Sequence, residues 1–176
     1  GFWLSPFASF HDYGVMEAEI LYLVGVRPVC DNRNVVSDVE LIPLGELGRP
    51  RVDVFIATEG IYNDMLPTRM QLLDKAIRCV AGLNEKDNPV YTHSEAARAD
   101  LERAGMDSSR SAVLSRARIF GYPPGERAQW AYWYYVLRSG SWEGREDLVQ
   151  AYLENVKYVY TEGCWGENAP EAYNRH

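Results

Sequence analysis

Residues 51–58 (RVDVFIAT), joined by a short loop to a long apolar stripe, restrict the possible folds more than any other feature. Val52, Val54, Phe55 and Ile56 make this run nearly continuous in apolar character, the pattern of a strand covered on both faces. Gly60 then turns the chain. Leu66, Met70, Leu73, Ile77 and Val80 recur at helical spacing up to Gly82, which predicts an amphipathic helix. Asp64 is placed to cap that helix, and Pro67 falls in its first turn. A covered strand, a loop and a long helix make half of a βαβ unit. The expected class is α/β, with a small, mostly parallel sheet flanked by helices.

The rest of the chain is read around that unit. Met16, Ile20, Leu23 and Val24 predict a helix over 15–24, ended by Gly25 with Pro28 beyond it. Residues 35–44 are β-rich. Thr92 and Glu95 have capping-box spacing, which predicts a helix running to Gly105, and Ser108 or Ser109 is placed to cap a further short one. Residues 117–120 (ARIF) suggest a third short strand. Helical spacing returns over 126–138 and 145–156, and the tail from Tyr158 reads as irregular. The sheet order stays open, because a leading strand could precede the chain. The expected organisation is an α/β unit over 1–125 and a helical, aromatic-rich segment over 126–176 packed on it.

Composition excludes several functions. Eighteen Lys and Arg against 25 Asp and Glu give a net charge of -7, which disfavours binding to nucleic acid. Apolar residues make up 47% and charged residues 24%, ordinary values for a folded domain. No apolar run is long enough to span a membrane. Cys30, Cys79 and Cys164 are odd in number and widely spaced, which argues against zinc or a disulfide framework and fits a reducing cytoplasm. The start at Gly1-Phe2-Trp3 does not read as a signal peptide.

No phosphate loop, GxSxG or HExxH phrase is present, and no nucleophile and base are paired in a way that suggests a hydrolase. In α/β sheets ligands gather beyond the carboxyl ends of strands. Glu59 and Asp64 stand there, where they could meet a metal or a cationic group. The competing reading makes Asp64 a helix cap and Glu59 a solvated loop residue. His93 lies inside a capping sequence, where a structural role competes with a functional one. His11 beside Asp12 lacks a third partner, and His176 is terminal. Trp130, Tyr132, Trp133, Tyr134 and Tyr135 could stack on a flat macrocycle or a partner. Alternatively, the helical spacing of Trp130, Trp133, Tyr134 and Leu137 packs one face of a helix into a core.

Several phrases carry a resemblance. Residues 19–29 (EILYLVGVRPV) and 39–54 (VELIPLGELGRPRVDV) resemble segments of the large subunits of cobaltochelatase (the CobN family) and of magnesium chelatase. So do 60–67 (GIYNDMLP), 72–76 (LLDKA), 88–93 (NPVYTH), and 118–121 (RIFG) with Pro124-Gly125. Further phrases follow in the family's order through Tyr158-Val159-Tyr160, so the similarity covers about residues 14–173.

This resemblance implies an ATP-dependent chelatase that inserts a divalent metal, cobalt or magnesium, into a tetrapyrrole. The family's large subunit binds the macrocycle, while separate AAA+ and integrin-like subunits couple ATP hydrolysis to insertion. Family large subunits are several times longer, so the rest of such a subunit is an implied partner. The family's tryptophan-rich HWG-type segment is not in these residues. The closing phrases favour the cobalt branch, hence cobalamin biosynthesis. Insertion needs a base for two pyrrole protons and groups that deliver the metal, which makes Glu59, Asp64 and His93 the catalytic candidates. The alternatives are magnesium insertion into protoporphyrin and a non-catalytic binding or assembly module. Glu59-Gly60, Asn63-Asp64 and the phrase 124–128 (PGERA) depart from the family pattern, so the ligand contacts are expected to differ.

Overall fold

A computed structural model describes residues 1–125 and 129–175, with only the backbone for 129–131. Glu126-Arg127-Ala128, the side chain of Trp130 and His176 therefore lie outside the described residues. The chain runs β1 (Phe2–Leu4), α1 (Pro6–His11), α2 (Val15–Val24), β2 (Val26–Cys30), β3 (Val36–Leu41), α3 (Leu44–Leu47), β4 (Ile56–Thr58), α4 (Gly60–Met65) and α5 (Pro67–Ala81). It continues with α6 (Pro89–Arg103), α7 (Ser108–Leu114), β5 (Ile119–Gly121), α8 (Gln129–Leu137), α9 (Arg145–Val156), β6 (Tyr158–Thr161), β7 (Cys164–Asn168) and α10 (Pro170–Tyr173).

One sheet has the order β1-β4-β5-β6-β7, and β2 and β3 form a separate hairpin. β1, β4 and β5 are parallel, which requires the helical crossovers between them. β6 and β7 add antiparallel to β5 and to each other. The α/β class with flanking helices is as expected. The tail from Tyr158 is not irregular: the Glu162–Gly163 turn folds it into the β6–β7 hairpin. The sheet also holds a strand that the spacing did not predict. The aromatic opening supplies it as β1, three residues too short to show a period.

Both faces of the sheet are covered. Leu4, Ile56 and Ile119 meet Ile20 and Val24 of α2 and the Met70, Leu73, Ile77, Val80 stripe of α5. These α5 side chains are at most 2% exposed, and each such burial is worth about 1.5–3 kcal/mol relative to exposure. On the other face Phe120 and Val159 pack with Leu101, Leu114 and Ala172.

Only the last part of 51–58 joins the ladder. The approach, residues 51–55, lies outside the strand and carries Arg51, a buried ionic anchor. Arg51 is 2% exposed. Its guanidinium donates to the carbonyls of Val24, Gly25 and Ile42 and to Glu85, which ties the root of the β2–β3 hairpin to the body. Lys75 of α5 also reaches Asp38 of β3 at 2.6 Å.

Three predicted caps shift. Asp64 lies inside α4, and α5 begins after Leu66, which makes no side-chain cap. α6 starts at Pro89, so Thr92 is inside it, and Asn88 caps it by accepting from the Tyr91 amide. Asn88 also donates to the carbonyls of Val80 and Leu83, so one buried amide serves the end of α5 and the start of α6. Asp107, not Ser108 or Ser109, caps α7.

Candidate functional site

At the carboxyl edge of the parallel strands, β4 delivers Glu59 to the start of α4. Glu59 is 9% exposed rather than solvated, which removes the loop-residue alternative. Register places Trp3 of β1 opposite Ala57, and its indole Nε1 donates to Glu59 Oε1 at 3.2 Å. β5 brings Tyr122 to the same edge. The strands meet closely here: a Cβ on Gly121 would stand 2.2 Å from Thr58 Oγ1 and 2.9 Å from the Thr58 carbonyl, so no larger residue fits. Asn63 Nδ2 donates to the Tyr122 carbonyl at 3.2 Å, and the Tyr160 hydroxyl donates to the same oxygen. Asp64 Oδ1 accepts from the Gly125 amide at 3.4 Å. Asp64 therefore holds the loop after β5 instead of capping a helix.

Aromatic rings extend from Glu59. Trp3 stacks on Tyr152 of α9 with centroids 6.4 Å apart, and Tyr132 of α8 meets Tyr152 edge-on at 5.7 Å. Burial, with the nearby Tyr152 and Tyr132 and the charge of Glu59, pushes the Tyr122 hydroxyl up to about 12. Burial likewise pushes Tyr152 up to about 12. Both phenols remain neutral donors near pH 7. The result is one carboxylate at the base of an aromatic wall, suited to a flat apolar ligand bearing N–H groups. The helix core expected from Trp133, Tyr134 and Leu137 is not formed: all three are more than half exposed, and α8 packs through Tyr132 instead.

His93 stands at the opposite edge. It projects from α6, and its Nδ1 lies 2.8 Å from Asp53 Oδ2. Arg118, fully buried just before β5, donates its Nε and Nη2 to the two Asp53 oxygens at 2.8 and 3.1 Å. Burial would raise the Asp53 carboxyl, but Arg118, with His93 and the Val54 amide, outweighs it and holds the carboxyl below the usual range. The imidazole borders a cleft of about 440 Å³ shared with Asp53 and Arg175. Six residues of extended chain, about 20 Å, separate Asp53 from Glu59. Glu59 and Asp64 thus flank α4 at the carboxyl edge with different partners, Trp3 and Gly125, and His93 stands apart with Asp53.

Asp53, Arg118, Trp3 and Tyr122 were not among the candidates. The phrases containing Asp53, His93 and Arg118 had each been singled out separately, and their meeting is the signal that links them. Trp3 carried none, because a three-residue strand has no readable period.

The CobN/Magnesium Chelatase family model matches residues 1–176. The aerobic cobaltochelatase subunit CobN of Sinorhizobium sp is 36% identical over 153 residues, which are 85% of this chain and 12% of that subunit. The chloroplastic magnesium-chelatase subunit ChlH of Oryza sativa subsp. japonica is 32% identical over 148 residues, 84% of this chain and 10% of that subunit. The catalytic subunit of cobaltochelatase from Mycobacterium tuberculosis superposes with a TM-score of 0.81 at 33% identity, covering 99% of this chain and 14% of that one. The chain thus spans about a tenth to a seventh of the length of these relatives. Shared sequence and shared coordinates agree, and the chain belongs to the CobN/magnesium chelatase family.

Proposed function

We propose that this chain forms part of the tetrapyrrole site in the large subunit of an ATP-dependent metal chelatase, with cobalt entering a corrin precursor on the route to cobalamin. The observation that carries this reading is Glu59, buried under the Trp3 indole at the foot of the Trp3–Tyr152–Tyr132 wall. The wall offers flat apolar surface to a macrocycle. Glu59 takes a pyrrole proton as the metal enters, and Asp64, five residues on in α4, receives the metal or the second proton. Metal here is cargo. His93, on α6 at the opposite edge of the strands, contributes to the Asp53–Arg118 edge instead. ATP hydrolysis belongs to AAA+ and integrin-like partner subunits, and the remaining large-subunit segments complete the site. The three free cysteines fit a reducing cytoplasm. No helix of the described residues is long and apolar enough to cross a membrane.

An assembly role is the second reading, favoured by exposed apolar side chains such as Phe7, Tyr13 and Leu137, which are 71%, 93% and 79% exposed. Titration with a cobyrinate-type tetrapyrrole and with protoporphyrin separates the two readings. The proposal expects saturable quenching of tryptophan fluorescence, weakened in Trp3→Phe. In a reconstituted chelatase, Glu59→Gln should retain quenching and lower insertion by about 10²–10⁴-fold, the usual weight of a general base. Unchanged fluorescence at high ligand supports assembly, and a preference for protoporphyrin supports magnesium insertion. ATPase turnover by the pure chain would overturn the division of labour.

A further inference from the structure

A second polar centre lies on the α2–α5 side of the sheet, independent of the tetrapyrrole reading. Glu17 sits on the buried face of α2 with Ile20, Leu21 and Val24, and is 8% exposed. Three donors converge on one of its oxygens: Ser9 Oγ at 2.6 Å, Tyr62 OH at 2.8 Å and Arg69 Nη1 at 3.2 Å, all to Oε1. Burial and the adjacent carboxylate push the Tyr62 hydroxyl up, so it stays a donor. Oε2 is buried with no hydrogen-bond partner among the described residues. Buried acceptors are rarely left so.

Glu17 and Arg69 form the polar end of a cavity of about 520 Å³ between α2, the β2–β3 hairpin and α5. Its walls are apolar, from Leu21, Pro28, Val36, Met65, Leu72 and Leu73. Gly14 borders the polar end. A Cβ there would stand in ordinary contact, 3.7 Å from Oε2 and 3.5 Å from Arg69 Nη1, so Gly14 lies directly against the carboxylate.

We propose that this cavity binds an uncharged amphiphile, an apolar body bearing one hydroxyl that donates to Glu17 Oε2. The volume lies in the range of small-molecule sites, and a few polar groups at one end of an apolar cavity fix orientation. The charge of the head group follows from the pair at the end. Arg69 balances Glu17, so an ammonium would meet the guanidinium and a carboxylate would meet Glu17. A neutral donor satisfies the orphan oxygen and disturbs neither.

The test titrates the 176-residue chain with octan-1-ol and with its isomer 1-methoxyheptane, which accepts but cannot donate, following amide shifts by NMR. The proposal expects saturable shifts around Gly14, Glu17 and Leu73, with the alcohol bound about ten-fold tighter than the ether, the worth of one buried hydrogen bond. Octylammonium and octanoate should bind more weakly than the alcohol. Glu17→Gln places an amide where Oε2 stood, and the alcohol-to-ether ratio should fall to about two-fold or less. Val36→Trp, at a position 40% exposed on the cavity wall, should block both ligands while leaving the circular dichroism unchanged. Equal binding of alcohol and ether to the unsubstituted chain, equal binding of either ion, or no saturable shift would overturn the proposal. If Glu17→Gln does not fold, the isomer pair and Val36→Trp decide the matter.

Discussion

The two edges of the parallel strands are built on different electrostatic plans. At the amino edge Asp53 is met by two nitrogens of Arg118 and by His93, and Arg118 also donates to the carbonyls of Ser115 and Ala117 and to Ser94 Oγ. At the carboxyl edge the Trp3 indole donates to Glu59 Oε1, and the same indole stacks on Tyr152. A carboxylate matched by a fork of donors is a structural joint. One beside an indole and stacked rings stands next to flat apolar surface. Carboxylates therefore stand in two different settings, an ionic joint before β4 and an aromatic neighbourhood after it.

The sharpest way to break this contrast is to strip a partner from the joint. Asp53→Ala leaves the Arg118 charge buried and uncompensated and should cost about 3–5 kcal/mol, read as a lowered urea midpoint. A loss below about 1 kcal/mol would show that solvent replaces the carboxylate.

A smaller effect should appear in acid. The folded-state pKa of Asp53 is depressed, so its stabilisation is complete above the ordinary carboxylate value near 3.8 and is lost as pH falls through the lower folded value. One proton gives a slope of at most about 1.4 kcal/mol per pH unit. Asp53→Asn should flatten the curve there, whereas Glu59→Gln should leave that component in place. The smallest effect is expected for Tyr160→Phe. It removes the hydroxyl donated to the Tyr122 carbonyl, which keeps Asn63 as a donor, and should cost about 0.5–1.5 kcal/mol by thermal unfolding.

What could be read in advance followed the range of the interactions. The α2 and α9 boundaries are where spacing placed them, because apolar period and the Gly25 stop are local signals. Glu59 was legible because strand–loop–helix order is local too. The Asp53–Arg118 pair was not, since 65 residues separate its members. The role of Asn88 was not legible either, because its hold on carbonyls at the end of the preceding helix exists only once both helices are docked. Glu17 fell on the buried stripe 17, 20, 21, 24, and a carboxylate at an apolar position was the overlooked cue.

The Arg51 anchor has a consequence for motion. One guanidinium pins three carbonyls and the Glu85 carboxylate at the base of the β2–β3 hairpin, while the far end carries exposed Val35 and Val36. Lys75 adds a second hold at Asp38, so bending concentrates in the tip beyond it. That end borders the Glu17 cavity, so the width of the entrance can vary while the sheet beneath keeps its register.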